Sequence, residues 1–156
     1  MPGSLEGFLG ARKLVQSYWK WKRPTNDSRD VWEAHVSGHI ENGPSFELWA
    51  RASRYVWSIN LRTEDGFSYR LESDRRSMDR ATGKWIDGPH CNIEAPGQPK
   101  RAIARPELDN IGVDEGMAAF FDDLNIKLKW PYRRPKTQQE LPLGGGDDDV
   151  NDNGGG

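Results

Sequence analysis

Between residues 31 and 72 the chain alternates apolar and polar positions through four successive runs. In the first, Trp32, Ala34, Val36 and Ile40 share one parity, and Glu33, His35, Ser37 and His39 share the other. In the second, Phe46, Leu48, Ala50 and Ala52 oppose Glu47, Trp49, Arg51 and Ser53. In the third, Tyr55, Trp57, Ile59 and Leu61 oppose Val56, Ser58, Asn60 and Arg62. The fourth sets Phe67, Tyr69 and Leu71 against Ser68, Arg70 and Glu72. Successive side chains of a strand point to opposite faces, so this period predicts four half-buried antiparallel strands.

The turns agree with that parity. A slip of one residue would turn every apolar side chain to solvent. A three-residue loop, Glu64-Asp65-Gly66, sets Thr63 opposite Phe67 and Leu61 opposite Tyr69, with Gly66 in the left-handed position of a bulged hairpin. A two-residue loop, Ser53-Arg54, sets Ala52 opposite Tyr55. The loop holding Asn42-Gly43-Pro44 sets Ile40 opposite Phe46.

Helical patterns flank the strands. Ser4 can cap a helix over residues 4–22, with Leu5, Phe8, Leu9, Val15, Tyr18 and Trp19 on one stripe and Pro24 ending it. Residues 25–30 read as a polar linker. Ser73 to Gly83 reads as a charged edge strand or loop, Lys84-Trp85-Ile86 as a short fifth strand, Asp87 to Pro99 as an irregular loop and Arg101–Ala104 as a last strand. A second helix is predicted from Asp114, with Met117, Phe120, Phe121, Leu124 and Leu128 at helical spacing, Lys127 and Lys129 at its end, and Pro131 stopping it. Its stripe should cover the apolar face of the sheet. The fold class expected is α+β: an antiparallel meander of five or six strands packed by an N-terminal and a C-terminal helix.

Composition adds boundaries to this picture. The chain has 156 residues, 35% of them hydrophobic, which suits one domain over residues 1–136 and a disordered acidic tail over 137–156. Net charge is −2, with Asp147, Asp148, Asp149 and Asp152 in the tail; without those four, 22 basic residues face 20 acidic ones. That is short of the balance of a dedicated nucleic-acid coat. No apolar run approaches the ~20 residues of a membrane span, and Gly7 interrupts the one short apolar stretch near the start. A cytoplasmic, reducing location is expected, because the single cysteine, Cys91, can form no internal disulfide. No phosphate-binding glycine loop, nucleophile elbow or paired-cysteine spacing occurs, and no cofactor is expected.

Candidate chemistry lies in three places. The polar sheet face gathers Glu33, His35, His39, Trp49, Arg51, Asn60, Arg62, Arg70 and Glu72. His35 and His39, four strand positions apart, would stand about 13 Å from each other, too far to share a metal ion. Only Glu33 with His35 lies close enough for that, and no metal is expected. Two flanking segments, Tyr18-Trp19-Lys20-Trp21-Lys22-Arg23 and Lys129-Trp130-Pro131-Tyr132-Arg133-Arg134-Pro135-Lys136, combine cations that neutralise phosphates with rings that stack on unpaired bases. If the two ends lie together they form one patch. Trp19, Lys20, Trp21, Lys22, Arg23, Tyr132, Arg133 and Arg134, with Arg51, Arg62 and Arg70 of the sheet, are the candidate nucleic-acid contacts.

The third place is the loop Trp85-Ile86-Asp87-Gly88-Pro89-His90. A histidine beside a carboxylate can act as general acid or base near neutrality. A meander leading to an aromatic-Asp-x-Pro-His loop and a closing helix resembles the small TumE-type toxins of bacterial toxin–antitoxin modules and their uncharacterised prokaryotic relatives, over roughly Phe46 to Asn125. That resemblance implies RNA-directed toxicity, with Asp87 and His90 as the catalytic positions of a metal-independent RNase.

Three readings therefore stand. The first is a small binding protein of a bacterium or its phage, engaging single-stranded RNA or DNA, or a protein partner, through the sheet face and flanks. The second is the toxin-like RNase. The third is an inhibitory interaction protein whose acidic tail mimics nucleic acid.

Overall fold

The computed structural model describes residues 4–23, 31–53 and 56–135. The expected linker over 25–30, the positions Arg54 and Tyr55, and the expected acidic tail lie outside the described residues. In chain order the elements are α1 (Leu5–Gly10), β1 (Lys13–Val15), β2 (Trp32–Ile40), β3 (Ser45–Ala52), β4 (Trp57–Thr63) and β5 (Ser68–Glu72). There follow β6 (Arg76–Asp79), β7 (Lys84–Asp87), β8 (His90–Glu94), β9 (Arg101–Ala104), α2 (Val113–Asp123) and β10 (Ile126–Leu128). An eight-stranded sheet runs in the order β10-β1-β2-β3-β4-β5-β8-β9, and β6 with β7 forms a separate hairpin. The α+β class stands, but the sheet is larger than the five or six strands expected and is mixed, since β1 and β10 are parallel.

The alternation of the central strands governs which face is buried. Ala34, Val36, Ile40, Phe46, Leu48, Ala50, Ala52, Trp57, Ile59, Leu61, Phe67, Tyr69 and Leu71 are all buried. The Glu64-Asp65-Gly66 loop is built as expected: Leu61 faces Tyr69, Thr63 N donates to Phe67 O at 2.9 Å, and Gly66 has φ 101°. The other two turns keep the parity but shift the register by two residues. Ala52 faces Trp57, with Ser53 N bonded to Val56 O, and Phe46 faces Gly38, with Ile40 N bonded to Pro44 O. A shift of two leaves every side chain on its own face, so parity could not exclude it.

Both helices are shorter than their patterns. The first ends at Gly10, and Lys13–Val15 pairs instead with Ile40, His39 and Gly38 of β2. Tertiary pairing here overrides a helical spacing already weakened by Gly7 and Gly10. The second helix begins after Gly112, where the Glu115 side chain accepts from Gly112 N at 3.2 Å, so Asp114 is not its cap. It stops at Asp123, before Asn125 at φ 54°. A left-handed residue just past a helix end is a common terminator. Ile126–Leu128 then leaves the helix axis to pair with β1. Met117, Phe120 and Leu124 do cover the apolar face, and all are fully buried.

Lys13 binds the two helix ends together. Its buried Nζ donates to Phe8 O (2.5 Å), Ala11 O (2.9 Å), Leu124 O (2.8 Å) and, more weakly, Leu9 O (3.3 Å). These are carbonyls that a helix end leaves without an internal partner. Burial pushes the ammonium down to about 8, so it remains mostly charged at neutral pH.

The expected irregular loop over Asp87 to Pro99 is the main correction. His90–Glu94 forms β8, an interior strand between β5 and β9. Its prolines and glycines punctuate only the turns. Its polar residues His90 and Asn92 are buried. The β6–β7 hairpin reaches this face of the sheet: Ser77 Oγ bonds Asn92 Oδ1 at 2.9 Å, and Asp79 accepts from Arg101 Nε (2.8 Å) and Ala102 N (3.2 Å).

Candidate nucleic-acid interface

The helices occupy one face of the sheet and the hairpin covers only part of the other. What remains of the outer face is a cleft of about 890 Å³ across β2 to β5. Lys20, Lys22 and Arg23 line it at the β2 side, where Lys22 pairs with Glu33 as an isolated bridge. Arg51 stands on the floor, and Arg70 and Arg75 line the hairpin side. Six basic side chains and two carboxylates, Glu33 and Glu72, thus face one cavity.

The carboxylates are already engaged. Glu33 Oε2 accepts from Arg51 Nη1 at 2.8 Å, an exposed pair that holds the guanidinium in place more than it stabilises the fold. Glu72 is 95% buried and lies 3.6 Å from Arg70 Nη1, 3.7 Å from Arg75 Nε and 3.9 Å from His90 Nε2; it accepts from Asn92 Nδ2 at 3.3 Å. Arg75 has φ 113°, a conformation costly for a residue with a Cβ. Its turn, closed by Asp74 Oδ1 accepting from Arg75 N at 2.8 Å, holds the guanidinium beside Glu72.

The cleft also has a flat ring. Trp49 stacks on His35 across the β2–β3 ladder, with centroids 5.1 Å apart and planes within 1°. His35 Nε2 is fixed by Glu47 Oε1 at 2.6 Å. Trp49 is 41% exposed, so a ring face is open to a ligand.

Of the residues singled out in the sequence, Lys20, Lys22, Arg23, Arg51 and Arg70 come together in this cleft. Arg62 is exposed and shares the outer face, opposite Glu47 and Ser68, but does not line the cavity. Trp21, Arg133 and Arg134 meet at the nearby sheet edge, where Trp21 Nε1 donates to Arg133 O at 2.8 Å. The two flanking segments do lie side by side. Trp19 is 3% exposed and packs against Phe121 and Tyr132, so its ring belongs to the core; Tyr132 Oη donates to Asp114 at 2.9 Å.

Asp87 and His90 are engaged by different partners. The Asp87 side chain is exposed and lies 3.3 Å from Arg76 Nε across the hairpin. His90 is fully buried, and its Nδ1 donates to Gly88 O at 2.8 Å, which leaves Nε2 facing Glu72. Sequence reasoning missed Arg75 and the central position of Glu72, because both depend on where β8 and the hairpin sit.

The chain matches no family model, no curated protein and no solved structure at a significant level. Among the described residues no helix is long and apolar enough to cross a membrane.

Proposed function

We propose that this protein binds single-stranded nucleic acid across the outer face of its sheet. One observation carries the reading: six cations and two carboxylates line a cleft that also exposes a stacked indole. Cations neutralise backbone phosphates and release their counterions, which supplies affinity without regard to sequence. Trp49 offers the stacking surface that an unpaired base needs, a contact duplex bases cannot make.

The net charge of the lining is four (six minus two), so binding should weaken with salt at a log–log slope of about −3. Titration of labelled single-stranded RNA and DNA over a range of salt concentrations measures it. No salt-dependent binding at micromolar protein would overturn the reading.

A second reading, a toxin-like RNase, has one observation in its favour: Glu72 lines the cleft and stands beside His90. The imidazole is fully buried, so a phosphodiester reaches it only after a local opening. Cells expressing the wild type and His90→Ala side by side test it, and equal growth counts against it.

A further inference from the structure

Beyond the cleft, the segments flanking the sheet enclose a second hollow of about 510 Å³. Tyr18, Trp21, Trp32 and Arg133 line it, and Lys20 lines both it and the cleft. Glu33 of the cleft and Trp32 of the hollow are adjacent on β2 and point to opposite faces, and Lys20 lines both cavities.

We infer that the hollow is a second base-stacking subsite for the same strand that occupies the cleft, an inference that rests on the nucleic-acid reading above. Tyr18 stacks on Trp130 with centroids 4.7 Å apart, and these rings are 59% and 38% exposed, open to a base. The lining carries three cations, Lys20, Arg133 and Arg134, and no carboxylate. Trp19 also lines it, as part of its buried wall. The carboxylates of an acidic peptide would satisfy the charge but offer no stacking surface to Tyr18, whereas each nucleotide brings both a charge and a ring.

The test uses the full chain with single-stranded oligonucleotides of about four and about twelve nucleotides, lengths within the range of site sizes that single-strand binders cover. The longer oligonucleotide should bind about tenfold or more tightly than the shorter. Tyr18→Ala and Trp130→Ala should each remove most of that gain and leave the short one within about twofold, while Trp49→Ala weakens both lengths by about tenfold. Tyr18 is exposed, so thermal melting should show the variant folded. If the gain with length survives in both variants, or the short oligonucleotide suffers as much as the long, the second subsite is wrong. Wild-type binding without any gain in length sinks this inference alone; no binding at either length sinks the nucleic-acid reading with it.

Discussion

Glu72 on β5 and His90 on β8 stand directly opposite one another, 3.9 Å between Oε2 and Nε2. The same carboxylate reaches Arg70 and Arg75, two of the cleft's cations. Glu72 therefore tempers the charge of the cleft while holding its hairpin side in place. Glu72→Gln keeps the shape and an acceptor for Asn92 but removes the negative charge. The expected result is tighter binding of single strands at low salt and a log–log salt slope steeper by about 0.7, one extra phosphate equivalent. Titrations of the variant and the wild type across salt check it; an unchanged slope would show that Glu72 does not act on the cleft.

Arg75 combines a strained backbone with a place in the cleft lining. Its φ of 113° suits glycine far better than a residue with a Cβ. Strain of this kind costs about 1–3 kcal/mol and is retained where the side chain is needed. Arg75→Gly should raise stability to unfolding by about 1 kcal/mol and still weaken nucleic-acid binding. Denaturant unfolding and binding measured on the same preparation give both signs; lower stability would mean the guanidinium contact to Glu72 outweighs the backbone term.

Asp79 ties the hairpin to β9 through an acid-sensitive bond. The hydrogen bond from Arg101, helped by Thr82 and Ala102 N, holds its carboxyl down at about 2, below the ordinary 3.8. A carboxylate whose folded pKa is depressed adds stability above its unfolded value, and that stability disappears as pH falls through the folded value. The stability difference between wild type and Asp79→Asn should be full above about pH 4 and shrink toward pH 2. Thermal melts at several pH values measure it; a difference constant across that window would reject the assignment.

Gly116 sits where α2 crosses Trp57. A Cβ there would stand 2.5 Å from Trp57 Cη2 and 2.6 Å from Cζ2. In an exposed helix, alanine would improve on glycine by about 1 kcal/mol. Here Gly116→Ala should instead destabilise by about 1–3 kcal/mol, because the helix or the indole must move and the indole N–H is bonded to Ile111 O at 3.1 Å. Denaturant unfolding reads the sign, which separates packing from helix propensity.

Much of this architecture is legible in the sequence, and what is not has physical causes. Alternation from Trp32 to Leu71 identifies the buried face because one side meets α2 and the other meets water. It determines register only up to even shifts, so alternation alone allows Ala52 opposite Tyr55 as readily as opposite Trp57, its partner in the sheet. The strands β1 and β10 are three residues each, too short for any period to show. In β8 the polar His90 and Asn92 are both buried, Asn92 against Ser77 of the hairpin, so burial there does not follow polarity. Five cleft cations could be nominated from charge alone. That Arg75 joins them, and that Glu72 stands beside two of them, follows from pairings between distant residues.

The parallel pairing of β1 with β10 joins Lys13 to Ile126, which are 113 positions apart (126 minus 13). Such a ladder closes a long stretch of chain before it gains a bond, and contacts of that separation slow folding. A chain that stops short of residue 128 leaves one side of Lys13–Val15 as an open template for another molecule's strand, so β1 stays unsealed until a segment more than a hundred residues later is in place.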